Sequence, residues 1–408
     1  MLFHYSIFFS SLLAIASGDV TCQNDEDCSL NGICRVGTCH CDAAWFGPWC
    51  QLLNLQPTAK ENGLQIPGTT TWGGSILADP EHGFVMFVAK MVNRCRLGSW
   101  QTNSEVVVAT SAEPLGPYTE AGSTVAPPWA HNPQAIYVPA QNSEDHGTYC
   151  VFTLGDGVPI HGPIKDCASQ HPTKAGVLDV GYEHALEEIR RLHSSDNDPC
   201  AGAPEKNRTV SFVIWHSSTG ALGPWLPHVT SINDFPCAYP FPANWNPSPY
   251  LLLDGRVRIM VHSCTSPWGG EVLVEAPSWE GPYVPITSDV TTCTKCAEDP
   301  FLWKDGRGHW HVLYHKMFDP PGNNPVPSPG WVGGHSFSKN GLDWSPIERA
   351  YNTTVHYEDG MRIEMKRRER PKLIFDKDGV TPTHLSNGVI SPENEGATYT
   401  LVVPLQTP

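Results

Sequence analysis

One short phrase returns five times along this chain, and that recurrence limits the fold more than any other feature. Its clearest copy is Glu298-Asp299-Pro300-Phe301-Leu302-Trp303, then Asp305-Gly306-Arg307-Gly308, then the alternating run His309-Trp310-His311-Val312-Leu313-Tyr314-His315. A polar pair precedes a proline, an extended apolar step follows, and a glycine eight positions after the proline opens a strand. The same offset of eight separates Pro247 from Gly255, behind Trp245-Asn246, and Pro371 from Gly379, behind Glu369-Arg370. Looser copies begin at His131-Asn132-Pro133 and at Trp72-Gly73-Gly74, where glycine takes the proline slot. A second phrase follows four of the copies; three times it ends in Gly-Pro-aromatic (Tyr118, Trp225, Tyr283) and once in Asp343-Trp344. Each unit reads as two hairpins, and about four strands per repeat is the signature of a propeller blade. No unit buries its apolar face alone, whereas radial stacking does so and leaves only short edges. The expected fold is all-β, a five-bladed β-propeller over residues 53–408 behind a small disulfide-rich module.

The 38 prolines and 36 glycines of the 408 residues suit a turn-rich β protein. A net charge of −16 argues against nucleic acid or an anionic membrane surface as partner. Residues 1–18 read as a signal peptide: an apolar run over 7–16, too short to span a bilayer, with Ala16 and Gly18 placed for cleavage before Asp19. Fourteen cysteines agree with an oxidising compartment, so the protein is expected to be secreted, with no free thiol and no membrane span. Asn207 and Asn352 head N-x-Thr sequons and are candidate glycosylation sites.

Six cysteines crowd residues 19–52: Cys22, Cys28, Cys34, Cys39, Cys41 and Cys50. The tail Cys39-His40-Cys41, five residues, Gly47, two residues, Cys50, with a turn at Asn31-Gly32, resembles an epidermal-growth-factor-like (EGF-like) domain. That resemblance implies the pairing Cys22–Cys34, Cys28–Cys39 and Cys41–Cys50. It also implies a spacer or adhesion unit able to meet an extracellular protein partner. Val20-Thr21 stands where the calcium-binding subtype carries acidic residues, so no calcium is expected in this module. The remaining eight cysteines allow 105 pairings and are left unassigned, with Cys293-x-x-Cys296 read as structural. From about residue 155 to 207 the rhythm breaks. This insertion in the second unit holds one amphipathic segment over 182–193 and, with Cys167 and Cys200 as its expected staple, reads as either a lid or a plain surface excursion.

In a propeller the innermost strands converge on the axis, which makes the pre-proline pairs the natural rim of a central pocket: Trp72-Gly73, His131-Asn132, Trp245-Asn246, Glu298-Asp299 and Glu369-Arg370. Indoles stack on sugar rings, and carboxamides and charged groups bond hydroxyls. Trp72, His131, Asn132, Trp245, Asn246 and Arg370 are therefore candidate binders of a carbohydrate. Glu298, Asp299 and Glu369 are candidate catalytic carboxylates. The plainer alternatives are strand caps for Glu298 and Asp299, and an ion-pair cluster for Glu369 among Arg367, Arg368 and Arg370. His309, His311 and His315 share one strand face, and His262 aligns with His315, so His311, His315 and His262 are candidate ligands for an axial metal ion or structural imidazoles.

The five-unit pattern with polar residues before each inner-strand proline resembles the five-bladed propeller glycosidases, the arabinanase, levansucrase and invertase superfamily with glycoside hydrolase family 43. The likeness covers about residues 60–408 and lies in repeat architecture. The block Arg367 to Asp376 is similar to an element of secreted propeller-like relatives. The resemblance implies an Asp base on the first blade, a pKa-tuning Asp on the second and a Glu acid on a later one. Glu298 matches the acid position; Trp72-Gly73 and His131-Asn132 replace both Asp residues, and Asp79 lies further along the first unit. The expectation is a glycoside hydrolase with Glu298 as acid and Asp299 or Glu369 as base or nucleophile. Arg370 would orient them or bind an acidic sugar. The alternative is a non-catalytic extracellular glycan- or protein-binding propeller.

Overall fold

The computed structural model describes residues 21–140, 146–158, 162–167, 209–235, 245–263, 270–287, 297–316, 333–392 and 398–408. Five antiparallel sheets follow one another along the chain. Blade I is Thr71–Asp79, Gly83–Met91, Ser104–Ser111 and Thr119–Ala126; blade II is His131–Val138, Thr148–Leu154, Val210–Ser217 and Leu226–Ile232. Blade III is Ser248–Leu251, Val257–Ser263, Gly270–Ala276 and Val284–Pro285, and blade IV is Ala297–Lys304, Trp310–Lys316, Gly333–Ser338 and Glu348–Tyr351. Blade V has three strands, Arg367–Phe375, Pro382–Ile390 and Thr398–Pro404, after a small hairpin of Thr354–His356 and Arg362–Glu364. The first strands of the five blades neighbour one another in a closed ring. This is the five-bladed propeller that the repeat implies.

The chain closes the ring itself. Leu64 pairs with Thr400 and Leu55 with Leu405, so the segment before blade I adds to the edge of the last strand of blade V. Thr400 O lies only 2.0 Å from where a Cβ on Gly63 would stand, at φ +94°, so glycine is required for the approach. Nothing in the repeat signals this closure, because the two partners lie at opposite ends of the chain.

The middle strands read as unbroken apolar runs (Val85 to Ala89, Val106 to Ala109) because neighbouring blades cover both faces. The resulting cores sit between blades. Phe87 and Val108 meet Val151 and Trp215; Phe152 and Ile214 meet Trp245 and Val261; Met260 and Leu273 meet Leu302 and Val312. Phe301 and Leu313 meet Leu373 and Leu385, and Ile374 and Val402 return to Met86 and Val107. Each such side chain contributes about 1.5–3 kcal/mol by burial.

The N-terminal segment holds the disulfides Cys22–Cys34, Cys28–Cys39 and Cys41–Cys50, the pairing set out above. It packs on blades IV and V, where Trp45 and Leu53 join Trp303 and Leu373 in one core. Arg307 bonds Leu30 O at 2.6 Å and Asp42 at 2.5 Å across the junction. Two cysteine expectations fail. Cys167 pairs with Cys95, not Cys200, tying the start of the insertion to the loop before residue 104 in blade I. Cys150 is a free thiol, fully buried among Ile136, Phe152 and Ile214, so the chain does not pair every cysteine. The 182–193 segment, Cys200, Cys293, Cys296 and Asn207 lie outside the described residues. Asn352 is exposed at the end of the last strand of blade IV. No helix among the described residues is long and apolar enough to cross a membrane.

Candidate functional site on the propeller axis

The sequence places the pre-proline pairs where each inner strand is entered. In blades I, II, IV and V they sit at a β-bulge: the register shifts between Trp72 and Ser75, between His131 and Gln134, between Glu298 and Phe301, and between Glu369 and Lys372. Proline is tolerated there because a bulge residue gives no ladder bond. The second member of every pair has a left-handed backbone: Gly73 (φ 64°), Asn132 (48°), Asn246 (39°), Asp299 (59°) and Arg370 (58°). Gly, Asn and Asp adopt this region readily, and Arg does so only under outside constraint. The repeat therefore encodes a five-fold turn-out of one residue per blade.

Four of these residues interlock on the axis. Asn132 Nδ2 donates to Asn246 Oδ1 (2.9 Å) and to Asp299 Oδ1 (3.5 Å). Arg370 Nη1 donates to the same two oxygens, at 3.0 Å to Asn246. The fifth position must be glycine, since a Cβ on Gly73 would meet Arg370 Cβ at 2.9 Å. Lys372 reaches beneath, its Nζ 3.3 Å from both Gly73 O and Asn132 Oδ1. Burial, with Arg370 adding to it, pushes the Lys372 ammonium down to about 7. Burial also lowers Arg370 to about 10, against the attraction of Glu298.

Beside this interlock the three candidate carboxylates come together around one imidazole. His315 Nδ1 lies 3.2 Å from Glu298 Oε1 and 3.8 Å from Asp299 Oδ2, and its Nε2 lies 3.6 Å from Glu369 Oε1. One ligand atom from each of Glu298, Asp299, His315 and Glu369 falls within 4.8 Å of the others, a set able to hold a metal ion. Arg367 grips both oxygens of Glu369, with Nη2–Oε2 at 2.6 Å. Asp299 differs: Oδ1 is taken by the interlock, and Oδ2 is buried without a hydrogen-bond partner among the described residues. The side chains are 19%, 2% and 5% exposed for Glu298, Asp299 and Glu369.

The first members of the other three pairs, Trp72, His131 and Trp245, go elsewhere. Trp72 is buried under Gly388 and Arg367, and Trp245 is buried on Phe212 with Nε1 donating to Thr153 O at 3.0 Å. Neither indole presents a face for a sugar, because the left-handed turn sends its neighbour, and not the indole, to the axis. His131 is buried too, 2.8 Å from Ser104 Oγ, and burial with Arg370 and Lys372 nearby holds it well below its ordinary pKa. Arg370 is committed to Asp299 and Asn246, so it orients the carboxylate and is not offered to an acidic sugar.

The expected metal triad does not assemble. His315 pairs with Glu298 in the ladder and His311 with Trp303, so the two imidazoles lie at opposite ends of blade IV. Two-residue periodicity puts them on one face but cannot bring four residues of rise to one point. The side chain of His262 is outside the described residues. The sequence also left Trp100 unremarked, half-buried in the short helix Trp100–Asn103, where its ring packs 5.2 Å from His131 and stacks on Trp129. It lies between repeat phrases, where no motif marks it. Arg367 and Lys372 were legible only as flanks of Glu369-Arg370.

No protein-family model matches the sequence, and no curated protein matches it. Solved structures of similar shape include a family 117 glycoside hydrolase from Zobellia galactanivorans (TM-score 0.48, 10% identity, covering 86% of this chain and 89% of that one). Another is the α-L-arabinanase of Penicillium chrysogenum complexed with arabinobiose (TM-score 0.47, 12% identity, 86% and 98% covered). A third is the family 93 α-L-arabinofuranosidase of Fusarium graminearum (TM-score 0.44, 10% identity, 87% and 96% covered). At such values these neighbours decide nothing about chemistry, which rests on the side chains of this chain.

Proposed function

We propose that the protein is a secreted glycoside hydrolase whose reaction centre is the axial cluster of Glu298, Asp299, His315 and Glu369. The convergence of three carboxylates from two blades within 4.8 Å carries the reading. Glycoside hydrolysis needs one carboxyl to protonate the leaving oxygen and a second carboxylate on the anomeric carbon or its water. Asp299 is the nucleophile, since its Oδ2 alone lacks a partner while Arg370 and Asn132 fix Oδ1. Glu298 is the acid, facing His315 and retaining the most exposure of the three. Glu369 is a positioning residue, both of its oxygens held by Arg367. Asp299 Oδ2 forms a bond to the anomeric carbon as the glycosidic C–O bond breaks and Glu298 protonates the departing oxygen; water, deprotonated by Glu298, then releases the sugar. Oxygens of Glu298 and Asp299 within 4.8 Å of each other favour this retaining course over the about 6.5–9.5 Å between the carboxyl groups of inverting enzymes.

Cleavage before Asp19, secretion, an EGF-like identity for residues 19–52 with an extracellular protein partner, and glycans on Asn207 and Asn352 belong to the same proposal. One observation favours a second reading: Asp299 and Glu369 are both buried in guanidinium pairs, as a structural interlock in a non-catalytic glycan- or protein-binding propeller would have them. The test is turnover of a glycan panel. Glu298→Gln should lower kcat by at least about a hundredfold and by less for substrates with activated leaving groups. Proton NMR should show retention at the anomeric carbon. Undiminished turnover in Glu298→Gln removes the acid role; binding without turnover supports the second reading.

A further inference from the structure

A cavity of about 350 Å³ lies where the N-terminal module meets the propeller, walled by Asp42 and Trp45 on one side and by Trp303, Asp305, His311 and Val380 on the other. Glu298 and Trp303 are five residues apart in one strand, so this cavity is ~16 Å from the axial carboxylates, at the other face of the propeller.

A chain of polar contacts ends at its wall. Asn31 Nδ2 donates to Cys50 O (3.1 Å) and towards His335 Nδ1 (3.5 Å), which makes that nitrogen the acceptor. The proton of neutral His335 then stands on Nε2 and is given to His311 Nδ1 at 3.1 Å. His311 in turn carries its proton on Nε2. That atom is buried, and its contact to Asp305 Oδ2 is a long one of 3.6 Å that leaves no well-formed hydrogen bond among the described residues. His311 is 1% exposed, and burial lowers the pKa of both imidazoles, so the pair is neutral. A buried donor so poorly paired is destabilising, and a bound hydroxyl supplies the acceptor it lacks.

The lining selects the ligand. Asp42 and Asp305 against Arg307 leave one net negative charge, which disfavours anions. A hydroxyl can accept from His311 Nε2–H and donate to Asp305 Oδ2 at the same time, as neither an ammonium nor a carboxylate can. Val380, Pro382 and Pro408 supply apolar surface. The volume sits at the low end of the about 300–1,000 Å³ typical of small-molecule sites. We propose that this junction cavity binds a neutral saccharide of one or two rings, with His311 and Asp305 reading one hydroxyl and the N-terminal module forming one wall.

The test uses the full, oxidised protein and a panel of arabinose, xylose, glucose, galactose and their disaccharides, followed by calorimetry and by hydrogen exchange. At least one sugar should bind in the millimolar range or tighter and protect residues 42–45 and 303–311. Ala43→Phe, which fills the cavity from its wall without touching the polar chain, should weaken that binding at least tenfold with Tm unchanged. His311→Phe should do the same if it folds. Glu298→Gln should leave it intact, so loss of hydrolysis and loss of this binding are separate results. No binding, protection confined to residues 298–299 and 367–370, or undiminished binding in Ala43→Phe each overturns the proposal.

Discussion

Replacing Lys372 by methionine should abolish a pH dependence of stability that the buried ammonium imposes. Its Nζ has two neutral acceptors at 3.3 Å and a neighbouring guanidinium, so the charged form is poorly compensated and its pKa falls to about 7. The unfolded chain holds that proton up to about 10.4. Between these values the unfolded state binds more protons than the folded one, so stability rises with pH across that window. Above it both states are neutral and the cost vanishes; below pH 7 both are charged and the cost is fully present. A shift of this size is worth on the order of 5 kcal/mol at 1.36 kcal/mol per unit, less whatever the matrix relaxes. Methionine keeps the unbranched stem, one atom shorter, and removes the charge. Guanidinium denaturation at intervals from pH 6 to 10 should show Lys372→Met more stable than the wild type by several kcal/mol at pH 6–7. The gap should close towards pH 10. Parallel curves for the two proteins, or a gap that widens with pH, would refute the reasoning.

Removing the guanidinium in Arg370→Met leaves the Asp299 carboxylate buried and uncompensated, which should cost about 3–5 kcal/mol by denaturant titration; adding Asp299→Asn should recover part of that loss, and strict additivity of the two would show that they do not interact. Thiol labelling should find Cys150 unreactive in the folded protein and stoichiometrically reactive after unfolding without reductant, because the thiol is fully buried, unpaired and raised in pKa by burial; fast labelling of this residue in the folded state would contradict its placement.

The sequence alone determined the five blades, because an offset of eight between a pre-strand proline and the next glycine is a local rule of turn geometry repeated in three near-identical copies. It also marked the positions that converge, since any periodic unit in a closed ring brings equivalent residues to one axis. It did not reveal which member of each pair arrives there. A plain two-residue alternation is broken by the bulge, and the left-handed residues Gly73, Asn132, Asn246, Asp299 and Arg370 turn in while Trp72 and Trp245 turn into the core. The run from His309 to His315, periodic in sequence, divides between two sites because four residues of strand rise separate His311 from His315. Lys372 beneath Asn132, Leu64 beside Thr400, Cys95 bonded to Cys167 and Arg307 clamped on Asp42 are contacts between residues 72 to 336 positions apart. Such pairs leave no local pattern; only packing the blades and the module into one body decides them.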